Sequence, residues 1–350
     1  MFKILGSAEP KYLAATDFLI GDMSNINYEF LLYDKPIILL ANDWLTKNFP
    51  DIGIKCDIRN INSAIIESIK TPDLYSLKRK LWLERTISYL NEPASKRYID
   101  IMLHKSGLLK PSFLFFHGDD SVRKTNLIPL VKEVSSRNFN YNFVAGKQKN
   151  MISNSNTIIV GAHYADIPLL DGYRVHIDHD LKGISTANLE YGIWDYKKHK
   201  YFPHIDLHIV AGKAGDKRTK LVLGPYEDRT IIAGYPKGDH FLKLNTQKNK
   251  DDVYNELGFK KGIPLVTYAP AGKCSFMKPG GSLNNNVIYK LMELSKCNNF
   301  HVLVKMKYDN SIIGRVINIL KDVKRNYFGK KIYDDGSKWR SFFAEEDAEI

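Results

Sequence analysis

Short apolar runs alternate with amphipathic stretches along most of this chain, the pattern made by strands buried on both faces and by the helices that cover them. Residues 17–21 read as a buried strand, 22–25 as a polar turn whose Asp or Ser side chains cap a helix over 26–33, Pro36 as the stop of that helix, and 37–40 as a second parallel strand. Further strands are expected at 112–116, 141–145, 156–161, 174–177, 206–211 and 230–233, with a helix at 127–136. The segment 234–240 breaks the pattern, and 251–257 reads as a helix closed by Gly258. Strands at 264–269 and 300–305, with helices at 284–294 and 312–325, then open another unit. The expected fold is α/β with parallel sheets, one doubly wound domain spanning about 110–258.

The turn at Asp22, Met23, Ser24 and Asn25 joins a strand to a helix N-terminus, where backbone N–H groups and the helix dipole suit a phosphate. An ordinary capped βαβ unit gives the same pattern. Asp22 to Asn25 with Glu29, followed by Asp34-Lys35-Pro36-Ile37, resembles the Asp-x-Ser-Ser, Asp and Lys-Pro segment of the CDP-glycerol glycerophosphotransferases, the teichoic-acid primases and polymerases. Asn25 stands where that pattern has its second Ser, and Glu29 where it has Asp. Residues 92–100, with Ala94-Ser95 and Arg97, are similar to the family's Gly-x-Ala-Ser-x-Arg stretch. Gly234-Tyr235-Pro236-Lys237-Gly238-Asp239 is similar to its Gly-x-Pro-Arg-x-Asp stretch, and 265–271 to the segment that opens its nucleotide domain.

The resemblance implies a glycosyltransferase-B-like protein of two Rossmann-like doubly wound domains, but the segments come in an unusual order. Residues 1–105 look like the C-terminal part of a nucleotide-binding domain, 110–258 like the acceptor-side domain, and 262–350 like the opening part of a nucleotide-binding domain. Either the chain is a window across two tandem modules, or it is a circular permutant. The acidic segment 343–349 favours the tandem window. In both cases each partial domain would expose a sheet edge and an apolar face, so the strand at 17–21 is expected beside those at 264–269 and 300–305.

Composition narrows the class of partner. The 350 residues carry 51 Lys and Arg against 39 Asp and Glu, a net charge of +12, which favours polyanions. No RNA-recognition, helix-turn-helix or zinc-finger pattern supports nucleic acid as a partner. The segment 77–85 mixes Leu77, Leu81 and Leu83 with basic residues, as in a helix lying on a membrane surface or a solvated helix whose Leu and Trp face its own domain. No apolar run reaches 18 residues and no secretory leader is evident, so a cytoplasmic protein is expected, and the resemblance, with its lipid-linked acceptors, implies one peripheral at the inner membrane face. Cys56, Cys274 and Cys297 are far apart in sequence and read as reduced thiols, with neither a metal site nor a cofactor indicated.

By the resemblance, CDP-glycerol is the donor, bound by Asp22, Ser24, Asn25, Glu29, Arg97 and Lys305, and the acceptor is lipid-linked. His179, followed by Leu181, Lys182 and Gly183, matches the family's histidine base, and Lys182 would meet acceptor or phosphate. The family's Gly after that His is Asp180 here. A neutral imidazole accepts a proton from a hydroxyl near neutral pH, and Asp178 or Asp180 would orient it. His176 is the rival. His117 is read as part of a turn, and Lys305 or Lys307 stands where the family has His-Pro. The stretch 211–216 lacks Walker A spacing and reads as a turn. The alternatives are a sugar-transferring relative of the same fold and a degenerate, non-catalytic polyanion-binding module.

Overall fold

The computed structural model describes residues 1–5, 10–22, 24–41, 50–117, 121–144, 153–162, 167, 170–178, 181, 204–270, 285–297 and 300–305. It is an α/β protein with two six-stranded sheets, every pairing in both being parallel. The first contains β1 (Phe2–Leu5), β2 (Phe18–Gly21), β3 (Ile37–Leu40), β4 (Ile54–Cys56), β11 (Leu265–Ala269) and β12 (His301–Lys305) in the order β1-β12-β11-β2-β3-β4. The second contains β5 (Ser112–Phe116), β6 (Tyr141–Val144), β7 (Thr157–Gly161), β8 (Tyr173–Ile177), β9 (Leu207–Val210) and β10 (Thr230–Ile232) in the order β10-β9-β8-β7-β5-β6.

The expected neighbours are in place. Ile20 is in register with Tyr268, and Tyr268 with Val304. Counted from β11 round to β4, the first sheet has the doubly wound order 3-2-1-4-5-6. Alternate residues of each strand enter different cores, as the two-residue period requires. Phe18, Ile20, Ile38, Leu40, Val266, Tyr268, Val302 and Val304 pack against α3 (Ile61–Lys70) and α10 (Asn285–Cys297). On the opposite face, Leu19, Ile37 and Leu39 pack with α2 (Ile26–Phe30), and Leu265 and Leu303 pack with α1 (Pro10–Ala15) and α9 (Gln247–Leu257). In the second sheet, Phe113, Phe115, Ile158, Val160, Val175 and Ile177 meet α5 (Ala94–Ser106) and α6 (Ser121–Ser136).

Several sequence expectations are corrected. The expected strand at 17–21 begins one residue later, because the Asp17 carboxylate accepts from the Leu265 N–H and Lys250. The helix at 26–33 is α-helical only to Phe30 and then tightens to a 3-10 turn over Leu31–Tyr33. Asp34, with φ of 48°, ends it in the left-handed region before Pro36 is reached. No side chain caps its start: Asn25 holds the N-cap position with helical dihedrals and its own side chain turned elsewhere.

The supposed break at 234–240 contains the start of α8 (Pro236–Leu244), with Pro236 in the first turn where its missing N–H costs nothing. The stretch 211–216, read as a turn, runs into α7 (Lys213–Leu223). α6 starts six residues ahead of its expected position despite Pro129, and α9 starts four residues ahead, where the Thr246 hydroxyl accepts from the Asn249 N–H. The expected helix at 312–325 and the acidic segment 343–349 lie outside the described residues.

Candidate functional site

In the first sheet the crossover from β11 runs to β12 and that from β2 to β3, in opposite directions, which opens a crevice between the carboxyl ends of β11 and β2. Asp22, Ser24 and Asn25 leave β2 at that crevice. Asp22 is buried beside Tyr268, and burial, followed by the Asp22 charge, drives the Tyr268 hydroxyl pKa well upward. The Asn27 amide donates to the Asp22 carbonyl and lies so close to Gly21 that no Cβ fits there. A glycine ending β2 thus lets the turn fold back tightly. Ser24 is half-buried, and its carbonyl accepts from the Asn27 N–H at 3.2 Å. Lys305 ends β12, two strands from β2 along the same carboxyl edge, roughly 10 Å away at normal strand spacing.

The second sheet meets this edge. The Asn25 Oδ1 accepts a hydrogen bond from the Leu181 N–H at 2.7 Å, across 156 residues of sequence. Leu181 is buried in the same apolar cluster as Leu19, Ile26 and Tyr28. The segments compared with the family's donor-binding and base-bearing stretches therefore touch. His179, Asp180 and Lys182 lie outside the described residues, as does Lys307. Asp178 is described and buried at the end of β8, with its Oδ2 3.5 Å from where a Cβ on Gly215 would stand.

Glu29 and Arg97 sit elsewhere. The buried Glu29 carboxylate accepts from Lys237 Nζ and from the Tyr235 hydroxyl, each at 2.7 Å. It fastens α2 of the first sheet to the start of α8, which leaves the second. Arg97 Nη1 donates to the Ala233 carbonyl at 2.9 Å, Nη2 to Glu92 at 3.1 Å, and the guanidinium lies 4.4 Å from the centre of the Tyr89 ring. Beside it, Asp239 accepts from the Ala94 and Ser95 N–H groups at 2.7 and 2.9 Å and from the Ser95 hydroxyl at 2.7 Å, capping α5 from 145 residues away. Two motif-like segments, 92–97 and 234–239, thus close on each other as a joint. The sequence does not name Tyr235 and Lys237 as partners of Glu29, although their segment carries a match to a family stretch. Lys35 is likewise a structural cation: its Nζ donates to the Ala14 and Thr16 carbonyls, and burial pulls its pKa down to about 8.

The rival histidine is part of the second sheet. His176 on β8 faces His208 on β9 with their Nδ1 atoms 3.4 Å apart, and burial, followed by the nearby Arg229 charge, pushes the His208 pKa down to about 3. His117 ends β5 beside the second sheet's own crevice between β5 and β7, buried against the Phe143 ring at 4.7 Å. Among the described residues no cluster of three His, Cys, Asp or Glu side chains is arranged to hold a metal ion, and no helix is long and apolar enough to cross a membrane. Compared with family models, curated proteins and solved structures, the chain matches none of them.

Proposed function

We propose that the protein is a two-domain transferase of the glycosyltransferase-B type that moves glycerol phosphate from CDP-glycerol to a hydroxyl of a lipid-linked acceptor or growing teichoic-acid-like polymer. The donor lies along the carboxyl edge of the first sheet. It docks near Asp22, Ser24 and Asn25, and Lys305 supplies positive charge from β12 as the leaving phosphate gains charge. His179 takes the acceptor proton, the acceptor oxygen attacks the glycerol-bearing phosphorus, and CMP leaves. Glu29 and Arg97 act at one remove, by fixing how the two sheets meet. The protein works at the inner membrane face, where its acceptor resides.

The observation that supports this most strongly is the hydrogen bond from Leu181 to Asn25, because it joins the segment proposed to bind donor to the segment that carries the proposed base. The test is nucleotide release by purified protein given a lipid-linked hydroxyl acceptor, CMP from CDP-glycerol or CDP-ribitol and UDP from UDP-sugars. Release from CDP-glycerol, lost in His179→Ala by about a hundredfold or more, is expected. Release from a UDP-sugar alone would make the protein a sugar transferase, and tight binding without turnover would make it a polyanion-binding module.

A further inference from the structure

Asn25 and Glu29 are the two positions at which the stretch 22–29 departs from the family pattern it resembles, and both hold an acceptor side chain that reaches toward the other sheet. They lie one turn apart, joined by the Glu29 N–H to the Asn25 carbonyl at 3.2 Å, and so share one face of α2. Glu29 grips the start of α8 through Tyr235 and Lys237. Asn25 grips the segment that leaves β8, its Oδ1 accepting from the Leu181 N–H at 2.7 Å, and its side chain makes no cap for its own helix. A serine hydroxyl would stand one bond closer to the backbone, where it favours capping instead. Behind this face α2 is braced: Tyr28 meets Trp82 of α4 (Ser76–Thr86) edge-on, with ring centres 6.5 Å apart. The gripped segment is anchored at both ends. Leu181 is 3% exposed among Leu19, Ile26 and Tyr28, and the buried Asp178 donates its N–H to the Ile209 carbonyl at 2.9 Å. Only residues 179 and 180 stand between these anchors in the chain, and His179, the proposed base, is one of them.

We propose that Asn25 is a positioning residue for the transfer: through the Leu181 N–H it holds the base-bearing segment 178–181 against the donor edge of the first sheet, and it does not itself bind donor. The role rests on the transferase reading and gives it the link between donor side and base side. An amide oxygen has no proton to offer a phosphate, and this one is engaged by a backbone N–H, whereas the neighbouring Ser24 carries a hydroxyl that can donate. Ser24 therefore meets the donor and Asn25 the other sheet. A base displaced by even 1 Å costs turnover rather than binding, so the signature is a fall in kcat at unchanged donor affinity.

Asn25→Ala removes the acceptor, and Asn25→Asp keeps an oxygen in its place. In Asn25→Ala the Leu181 amide should exchange about fivefold or more faster while that of Val175 in β8 is unchanged, a readout that needs neither donor nor turnover. Its kcat for CMP release from CDP-glycerol should fall about tenfold or more, with calorimetric donor affinity within about twofold of the wild type. Asn25→Asp should restore slow exchange at Leu181 and most of the turnover. In a His179→Ala background Asn25→Ala should cost nothing further, because the base it positions is gone. Unchanged exchange at Leu181, no recovery in Asn25→Asp, or losses that add to those of His179→Ala would overturn the proposal, and a donor affinity that falls as far as kcat would make Asn25 a donor contact instead. Wild-type protein that releases no CMP would overturn the transferase reading and this role with it, whereas normal wild-type release with unchanged turnover in Asn25→Ala would overturn this role alone.

Discussion

The two sheets obey the same rules but are assembled from differently placed pieces of chain. The second takes all six strands from one run between Ser112 and Ile232, whereas the first joins strands before Asp57 to strands after Ile263. Asp17 and Leu265, which hydrogen-bond at the start of β2 and β11, are 248 residues apart. Both sheets nevertheless place a crevice where the crossovers part. The site is therefore set by strand order and crossover direction rather than by chain continuity. The difference should show in folding: the second sheet closes short loops and forms early, while the first must wait for a long one.

The sharpest way to break this comparison is to cut each core. Phe115→Ala in the second sheet should cost about 3 to 5 kcal/mol and Ile20→Ala in the first about 2 to 5 kcal/mol, both read by urea unfolding. If the first sheet is one composite unit, Ile20→Ala also strips exchange protection from the β11 amides that face β2. Protection retained in β11 would contradict the pairing. The joint between the sheets is tested next. Glu29→Gln leaves the largely but not fully buried Lys237 beside a neutral amide and should cost about 3 kcal/mol. Asp239→Ala removes the acceptor for three donors at the head of α5 and should cost about 1 to 3 kcal/mol, with fraying confined to that helix.

Effects of pH separate the two halves. His208 in the second sheet stays neutral to about pH 3 when folded but takes a proton near 6.5 when unfolded, so the unfolded chain binds more protons between those values. Stability is lost as pH falls from 6.5 toward 3, and His208→Gln should flatten that limb of the profile. Lys35, beside the first sheet, has its folded pKa near 8 against 10.5 unfolded, so its contribution to stability rises with pH between 8 and 10.5. Lys35→Met should remove that alkaline rise and leave the acid limb unchanged. Thermal melting across pH reads both.

Much of this architecture is legible in the sequence because strands buried on both faces are continuous apolar runs. Even the composite first sheet follows from the lack of an opening strand beside 17–21. Short pieces were not legible: β1, β4 and α1 are only four, three and six residues long, and their burial comes from neighbours remote in sequence. Partners chosen in space were invisible for the same reason. Nothing near Pro93 announces that Asp239 will cap α5, and nothing in the basic run 78–80 marks Arg79 as the residue that turns inward to Asp34. The Asp22 to Asn25 turn is legible as a strand-to-helix turn because its pattern is local. The partners of Glu29 and Arg97 within the chain are not legible, because a motif names residues but not the direction in which they face.

The central claim is that the carboxyl edge of the composite sheet holds a cytidine diphospho-alcohol, and calorimetric titration of CDP-glycerol into the wild-type protein and Ser24→Ala tests it most directly. The account predicts binding by the wild type and a loss of about 1 to 3 kcal/mol in the variant, from one or two charge-assisted hydrogen bonds to phosphate. Wild-type protein that does not bind, or a folded Ser24→Ala that binds equally well, would contradict it.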